Sequence, residues 1–171
     1  MKGLFPIVLG LTDGIITSLV FTAGLLDRSS AITLILILRI SIGSSVIGAF
    51  SFFIANYTEL REELITVGTK LNPAKPTHLL ESSQGIRIVS ESIVEASLAL
   101  GSGFLGAFLT LFPAYAFPEV GILSLSLALA ILSILGVLIS RYLYGGPFRW
   151  ALIFVIVGLI TILLGMYLNI V

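Results

Sequence analysis

The sequence predicts an all-α membrane protein with five transmembrane helices, and three observations carry that prediction. Of 171 residues, 57% are hydrophobic and 11% charged, with a mean hydropathy of +1.15, too little polar surface for a water-soluble globule. The apolar residues form five long runs, each near the roughly 20 residues that cross a bilayer core. Charge, Pro and Gly gather between the runs. The lipid bilayer is thus the first partner, and residues 1–171 make a single membrane domain.

Span one runs from about Gly3 to Leu26 and span two from Ala31 to Tyr57, joined by the turn Asp27-Arg28-Ser29-Ser30. Span three covers Val94 to Phe117 and span four Val120 to Leu143, with Pro118-Glu119 between them. Span five is Phe148 to Val171, after the turn Tyr144-Gly145-Gly146-Pro147. Connections this short join antiparallel neighbours. Between spans two and three, residues 58–93 form the one polar insertion, which carries most of the acidic residues and the only histidine. Thr58 to Lys70 has helical composition, Asn72-Pro73-Ala74-Lys75-Pro76 breaks it, and Ser82 to Glu95 reads as a second helix running into span three.

Orientation follows from the basic residues. Lys2, Arg61, Lys70, Lys75, Arg87, Arg141 and Arg149 fall on the N-terminal side and Arg28 alone on the other, so the N-terminus and the insertion face the cytoplasm and the C-terminus lies outside. Span one is broken by Asp13 and has no small-residue cleavage site before Asp27, so it is expected to be retained. No targeting address is evident, and a prokaryotic cytoplasmic membrane is the default location.

Several classes fall away. With no cysteine there is no disulfide, thiolate metal site or cysteine nucleophile. A formal net charge of +0 without a basic block argues against nucleic acid. An intramembrane enzyme is disfavoured, because the spans hold no histidine or lysine to activate a serine and no paired carboxylates.

Two charges inside hydrocarbon are the informative residues. An unpaired charge there costs about 2.5–3.5 kcal/mol on insertion scales. Counted from the outer hairpin, Asp13 lies roughly 20 Å deep and Arg39 roughly 12 Å deep. They are either an ion pair between adjacent helices, or Asp13 lines a hydrated path for a cation or proton with Arg39 tuning its charge. Gly10, Gly14 and Ser18 make a small-residue stripe beside Asp13, repeated by Ser44 and Gly48, for close helix packing within the chain or across a dimer. At the cytoplasmic end, Glu59, Glu62, Glu63, Glu91 and Glu95 converge if spans two and three are neighbours. They are an ion-collecting mouth, or a wet charge-mixed helix end. His78 reads as a surface loop residue.

These residues resemble the vacuolar iron transporter family. Gly10-Leu11-Thr12-Asp13-Gly14-Ile15-Ile16-Thr17-Ser18 is similar to its first-span signature, and Gly48-Ala49-Phe50-Ser51-Phe52 through Ala55-Asn56-Tyr57 to its second. Gly106-Ala107 with Pro113 and Tyr115, and then Gly136, Arg141, Gly145-Gly146-Pro147, Arg149, Gly158 and Gly165, follow in the family's order across nearly the whole chain. The resemblance implies a homodimer whose first spans meet at the two-fold axis, and export of ferrous iron or manganese from the cytoplasm in exchange for protons. The metal is cargo, and no resident cofactor is expected. Asp13 matches the family's intramembrane metal-binding aspartate. The methionine that normally completes that site is Phe52, and the glutamate before the tyrosine is Asn56, which offers only a neutral carbonyl. Thr12 and Thr110 are further departures, and Arg39 has no counterpart. The leading expectation is a divalent metal transporter. The alternative is a scaffold or accessory subunit that keeps the fold with a degenerate ion site.

Overall fold

A computed structural model describes residues 4–25, 33–71, 75, 77–116, 121–142 and 145–168. Among them are five helices and one short 3-10 turn, with no strand. The helices are α1 (Leu4–Leu25), α2 (Leu34–Leu71), α3 (Ser83–Ala116), α4 (Gly121–Tyr142) and α5 (Pro147–Leu168), with the 3-10 turn at His78–Glu81. All five are long and apolar enough to cross a membrane. The turns Asp27-Arg28-Ser29-Ser30 and Pro118-Glu119 lie outside the described residues, as do Lys2 and most of the break at 72–76.

Local chemistry sets the helix ends. Thr33 opens α2, its hydroxyl accepting the Leu36 N–H at 3.3 Å, and Ser82 opens α3 by accepting from Gln84 at 3.2 Å. Pro147 starts α5, where a missing N–H costs nothing. The Gly145 N–H returns to the Ser140 carbonyl at 3.1 Å and closes α4. No proline interrupts α2 at the membrane edge, and the charged run from Glu59 to Glu63 is compatible with helix, so its 38 residues form one rod of roughly 57 Å. The 34 residues of α3 likewise continue the second insertion helix without a break. His78 sits exposed on the 3-10 turn between them and not in irregular loop.

α1 is the hub, touching each of the other four helices. Its most extensive partner is α3, although the short first hairpin joins it to α2. Gly10 meets Ala99, Gly14 meets Gly103, and the Ser18 hydroxyl donates to the Ala107 carbonyl at 3.3 Å. These numbers rise together, so α1 and α3 run parallel. The stripe Gly10, Gly14 and Ser18 is therefore buried in packing within the chain, and among the two uses expected of it the structure shows this one. Backbones approach this closely only where side chains are missing, and in lipid such contact supplies most of the cohesion between helices.

The other faces of α1 use bulk. Ile15, Leu19 and Ala23 pack with Leu125, Ala128, Leu132 and Leu135 of α4 and Ile162 of α5. Phe52 of α2 packs antiparallel on Ala96 and Ala99 of α3. Most hydroxyls within the bundle donate to their own helices, Thr22 to the Ser18 carbonyl at 2.8 Å and Thr110 to that of Gly106 at 2.9 Å, while Ser124 of α4 donates across to the Thr110 carbonyl of α3 and the buried Ser41 hydroxyl has no partner among the described residues. Outward faces are apolar, as lipid contact demands, with Phe50, Ile134 and Leu163 all more than half exposed.

Candidate functional site

Because α3 takes the closest place beside α1, α2 stands off from it and a groove opens between them. The groove has a volume of about 930 Å³ and is also lined by Ala99 and Gly103 of α3, Ile139 of α4 and Phe154 of α5. Asp13 lies exposed on this groove. Its neighbour across the gap is Gly48 of α2, where a Cβ would run into the carboxylate. The absence of a side chain at Gly48 is what seats Asp13.

Asn56 and Glu59 line the same groove, further toward the end where α2 continues past the membrane span. The Asn56 amide donates to the buried Ser92 hydroxyl at 3.5 Å, which turns its amide group toward α3 and leaves its carbonyl oxygen as the free donor atom for a cation. Between these residues and Asp13 stand two aromatic rings, Phe5 and Phe52, with centroids 6.4 Å apart. Thr12, Thr17, Ser44, Ser45 and Ser51 complete the polar lining. Thr12 donates to the Val8 carbonyl at 2.8 Å, while Ser44 and Ser45 both donate to the Ser41 carbonyl.

The remaining expected site residues are elsewhere. Glu62 and Glu63 are exposed on α2 and Glu91 and Glu95 half-buried on α3, and none of the four lines the groove. Among the described residues no three His, Asp or Glu side chains come together as a metal-ligand group. The five acids share one end of the bundle, because α2 and α3 are neighbours, but helical rotation spreads them around it. A second, smaller cavity of about 280 Å³ at this end is lined by Tyr57 and Arg61 with Leu80, Gly85 and Ile86 among others, and by none of the acids.

Arg39 is exposed on α2, nine residues from Gly48 and thus about 13 Å further along the helix axis. Asp13 and Arg39 form no salt bridge with each other or with any other described residue. The sequence placed both charges inside hydrocarbon, but their depth difference is too large for the packing that α3 imposes.

Sequence reasoning reached Asp13, Asn56 and Glu59 but not Phe5 or the role of Gly48. Phe5 carries no signal, since a phenylalanine near the start of an apolar helix is ordinary. Gly48 was visible as part of a small-residue repeat, though not as the counterpart of Asp13.

Gly48→Ala gives a clean check of that seating. The clash is with the end of a side chain that can swing away, and an alanine in a helix is favoured over glycine by up to about 1 kcal/mol, so thermal stability should hold or rise. Cation binding at Asp13 should weaken, measured by calorimetry on the same preparation; unchanged binding would mean that the carboxylate does not work from this seat.

Compared with protein-family models, curated proteins and solved structures, the chain has no match, and the likeness of its motifs to a transporter family stays a resemblance.

Proposed function

We propose that this protein carries a cation across the membrane, with Asp13 as the binding carboxylate. The observation behind this reading is the exposure of Asp13 on a groove between apolar helices, with no cation among the described residues paired to it. A carboxylate at that depth is costly unless something positive or hydrated meets it. A cation arriving along the groove offsets the cost, and Asn56 and Glu59 offer it oxygen ligands on the way. The cargo that the resemblance implies is ferrous iron or manganese, exported from the cytoplasm in exchange for protons by a homodimer, and the membrane expected by default is a prokaryotic cytoplasmic one. Two chains would supply two Asp13 carboxylates, which balances a dication. Glu62, Glu63, Glu91 and Glu95 would then raise the local cation concentration at the cytoplasmic end. The scaffold alternative needs Asp13 neutralised by Arg39, and no contact between them favours it.

Reconstituted vesicles provide the test. Wild-type protein should move Fe²⁺ or Mn²⁺ above the protein-free rate, and Asp13→Asn should not. Flux that is the same for wild type and Asp13→Asn across both metals and organic cations would end this reading.

Phe52 gives a second measurement. It sits buried in the groove wall where the family has a thioether, and a phenyl ring has no lone pair for a metal. Phe52→Met should cost about 1.5 kcal/mol or less in stability. It should raise Fe²⁺ flux more than Mn²⁺ flux, because the softer donor favours the later metal. A variant that raises neither would show that no metal approaches this wall.

A further inference from the structure

We propose that the groove takes a hydrophobic organic monocation, a compound with one delocalised or shielded positive charge surrounded by aromatic or alkyl surface. The inference rests on Asp13 as the cation-binding carboxylate and names a cargo for that site other than a bare metal ion.

Three features carry it. The first is size: about 930 Å³ is the volume of a site for a drug-sized molecule, far more than a desolvated ion fills. The second is lining. Besides the Asp13 carboxylate and a set of hydroxyls, the walls near Asp13 are apolar and aromatic, with Phe5, Leu9, Ile16, Ile47 and Phe52 all lining the space. Phe5 and Phe52 are tilted 48° to one another with centroids 6.4 Å apart, and aromatic faces at an angle are the surfaces that attract quaternary and other weakly hydrated cations. Phe52 is held firmly by Ala96 and Ala99, whereas Phe5 is 68% exposed and has room to close on a guest.

The third feature is charge. Beside the aromatic pair stands one carboxylate, Asp13, which matches one positive charge; Glu59 lies at the groove's far end, eleven residues and about 16 Å along α2 from Gly48. A bare dication must also replace a full shell of water oxygens, and among the described residues no three acidic or histidine side chains gather to do so. An organic cation brings its own apolar surface, sheds little bound water and needs only the single counter-charge. The hydroxyls of Thr12, Ser44 and Ser45 already donate to helix carbonyls. Access suits the same class. Phe5 and Ile47 of the lining are 68% and 70% exposed, and a groove with exposed apolar sides on membrane-spanning helices is reachable from lipid, where hydrophobic cations accumulate.

Tetraphenylphosphonium is the probe, titrated into the purified full-length chain in mild detergent, with Mn²⁺ titrated in parallel. Wild type should bind the phosphonium saturably. Asp13→Asn should weaken it by at least about tenfold and Asp13→Glu should retain it. Phe52→Leu should weaken it by about threefold, the worth of one aromatic contact. Gly43→Ala, at a position with nothing within 4 Å, is the control that should bind as wild type. Elution of each variant as a single monodisperse species confirms its fold. Equal phosphonium binding by wild type and Asp13→Asn would overturn the inference. Mn²⁺ binding that depends on Asp13, with no phosphonium binding, would also overturn it while leaving the role of Asp13 intact; a groove closed by a second copy would give the same result. If neither cation depends on Asp13, both the inference and the reading beneath it fail.

Discussion

Asp13→Asn is expected to abolish cation flux and to leave the helix bundle at least as stable as the wild type. The two effects have one origin. In most folds, removing a charged side chain from the interior orphans its partner and destabilises the protein by several kcal/mol. Here no described residue pairs with Asp13, so nothing is orphaned, and a neutral amide relieves part of the roughly 2.5–3.5 kcal/mol that a charge costs in hydrocarbon. Hydration of the groove reduces that relief, and the net gain should be about 1 kcal/mol or less. Flux falls because the carboxylate seated at Gly48, the counter-charge for the cation, has gone. The measurement is paired: transport in vesicles, and thermal unfolding in detergent, on the same preparations. A marked loss of stability would mean that Asp13 has a structural partner. Arg39→Leu extends the argument, because its combination with Asp13→Asn should be additive within about 0.5 kcal/mol. A larger coupling would revive the scaffold reading, in which the two charges neutralise one another.

Gly14→Ala is expected to produce the opposite pattern, a large structural loss from one methyl group. A Cβ at Gly14 overlaps the carbonyl oxygen of Gly103 and comes within 3.0 Å of the Ala107 nitrogen. These are backbone atoms of α3 and cannot rotate out of the way, so the helices must part. Overpacking of this kind costs about 1–3 kcal/mol, and the better helix propensity of alanine returns only about 1. Parting α1 from α3 also moves Asp13, the adjacent residue, relative to Gly48, so binding should fall with stability. Gly43→Ala meets nothing and should show only the propensity gain. Thermal unfolding of the two variants against wild type separates them, and equal melting would refute the tight α1–α3 seam.

The two glycines show how much of the site was legible in the sequence. Gly10, Gly14 and Ser18 announce a close contact through their spacing alone, because residues four apart share one face of a helix and small ones there let another backbone approach. The identity of the other helix was not written there. A hairpin of a few residues suggests the next span, yet the closest partner is α3, whose Ala99, Gly103, Gly106 and Ala107 supply a matching small face. The depth of Asp13 and Arg39 could be counted along their helices, but an ion pair also depends on how α2 is rotated and offset against α1. The five glutamates were similarly legible as belonging to one end of the bundle, while only Glu59 turns toward the groove.

The sequence alone determined five membrane-crossing helices, their order and approximate limits, and the presence of one carboxylate deep in the first. These follow from composition and length, since a bilayer asks only for enough consecutive apolar residues and penalises each charge by its depth. Tertiary structure decided which helices touch, and with that the groove, the seat of Asp13 opposite Gly48, the ring pair Phe5 and Phe52, and the separation of Asp13 from Arg39. The reason is that lipid contact rewards every apolar face about equally, so hydrophobic pattern cannot choose among partners. Steric fit between small-residue surfaces makes that choice, and fit is a property of two helices together.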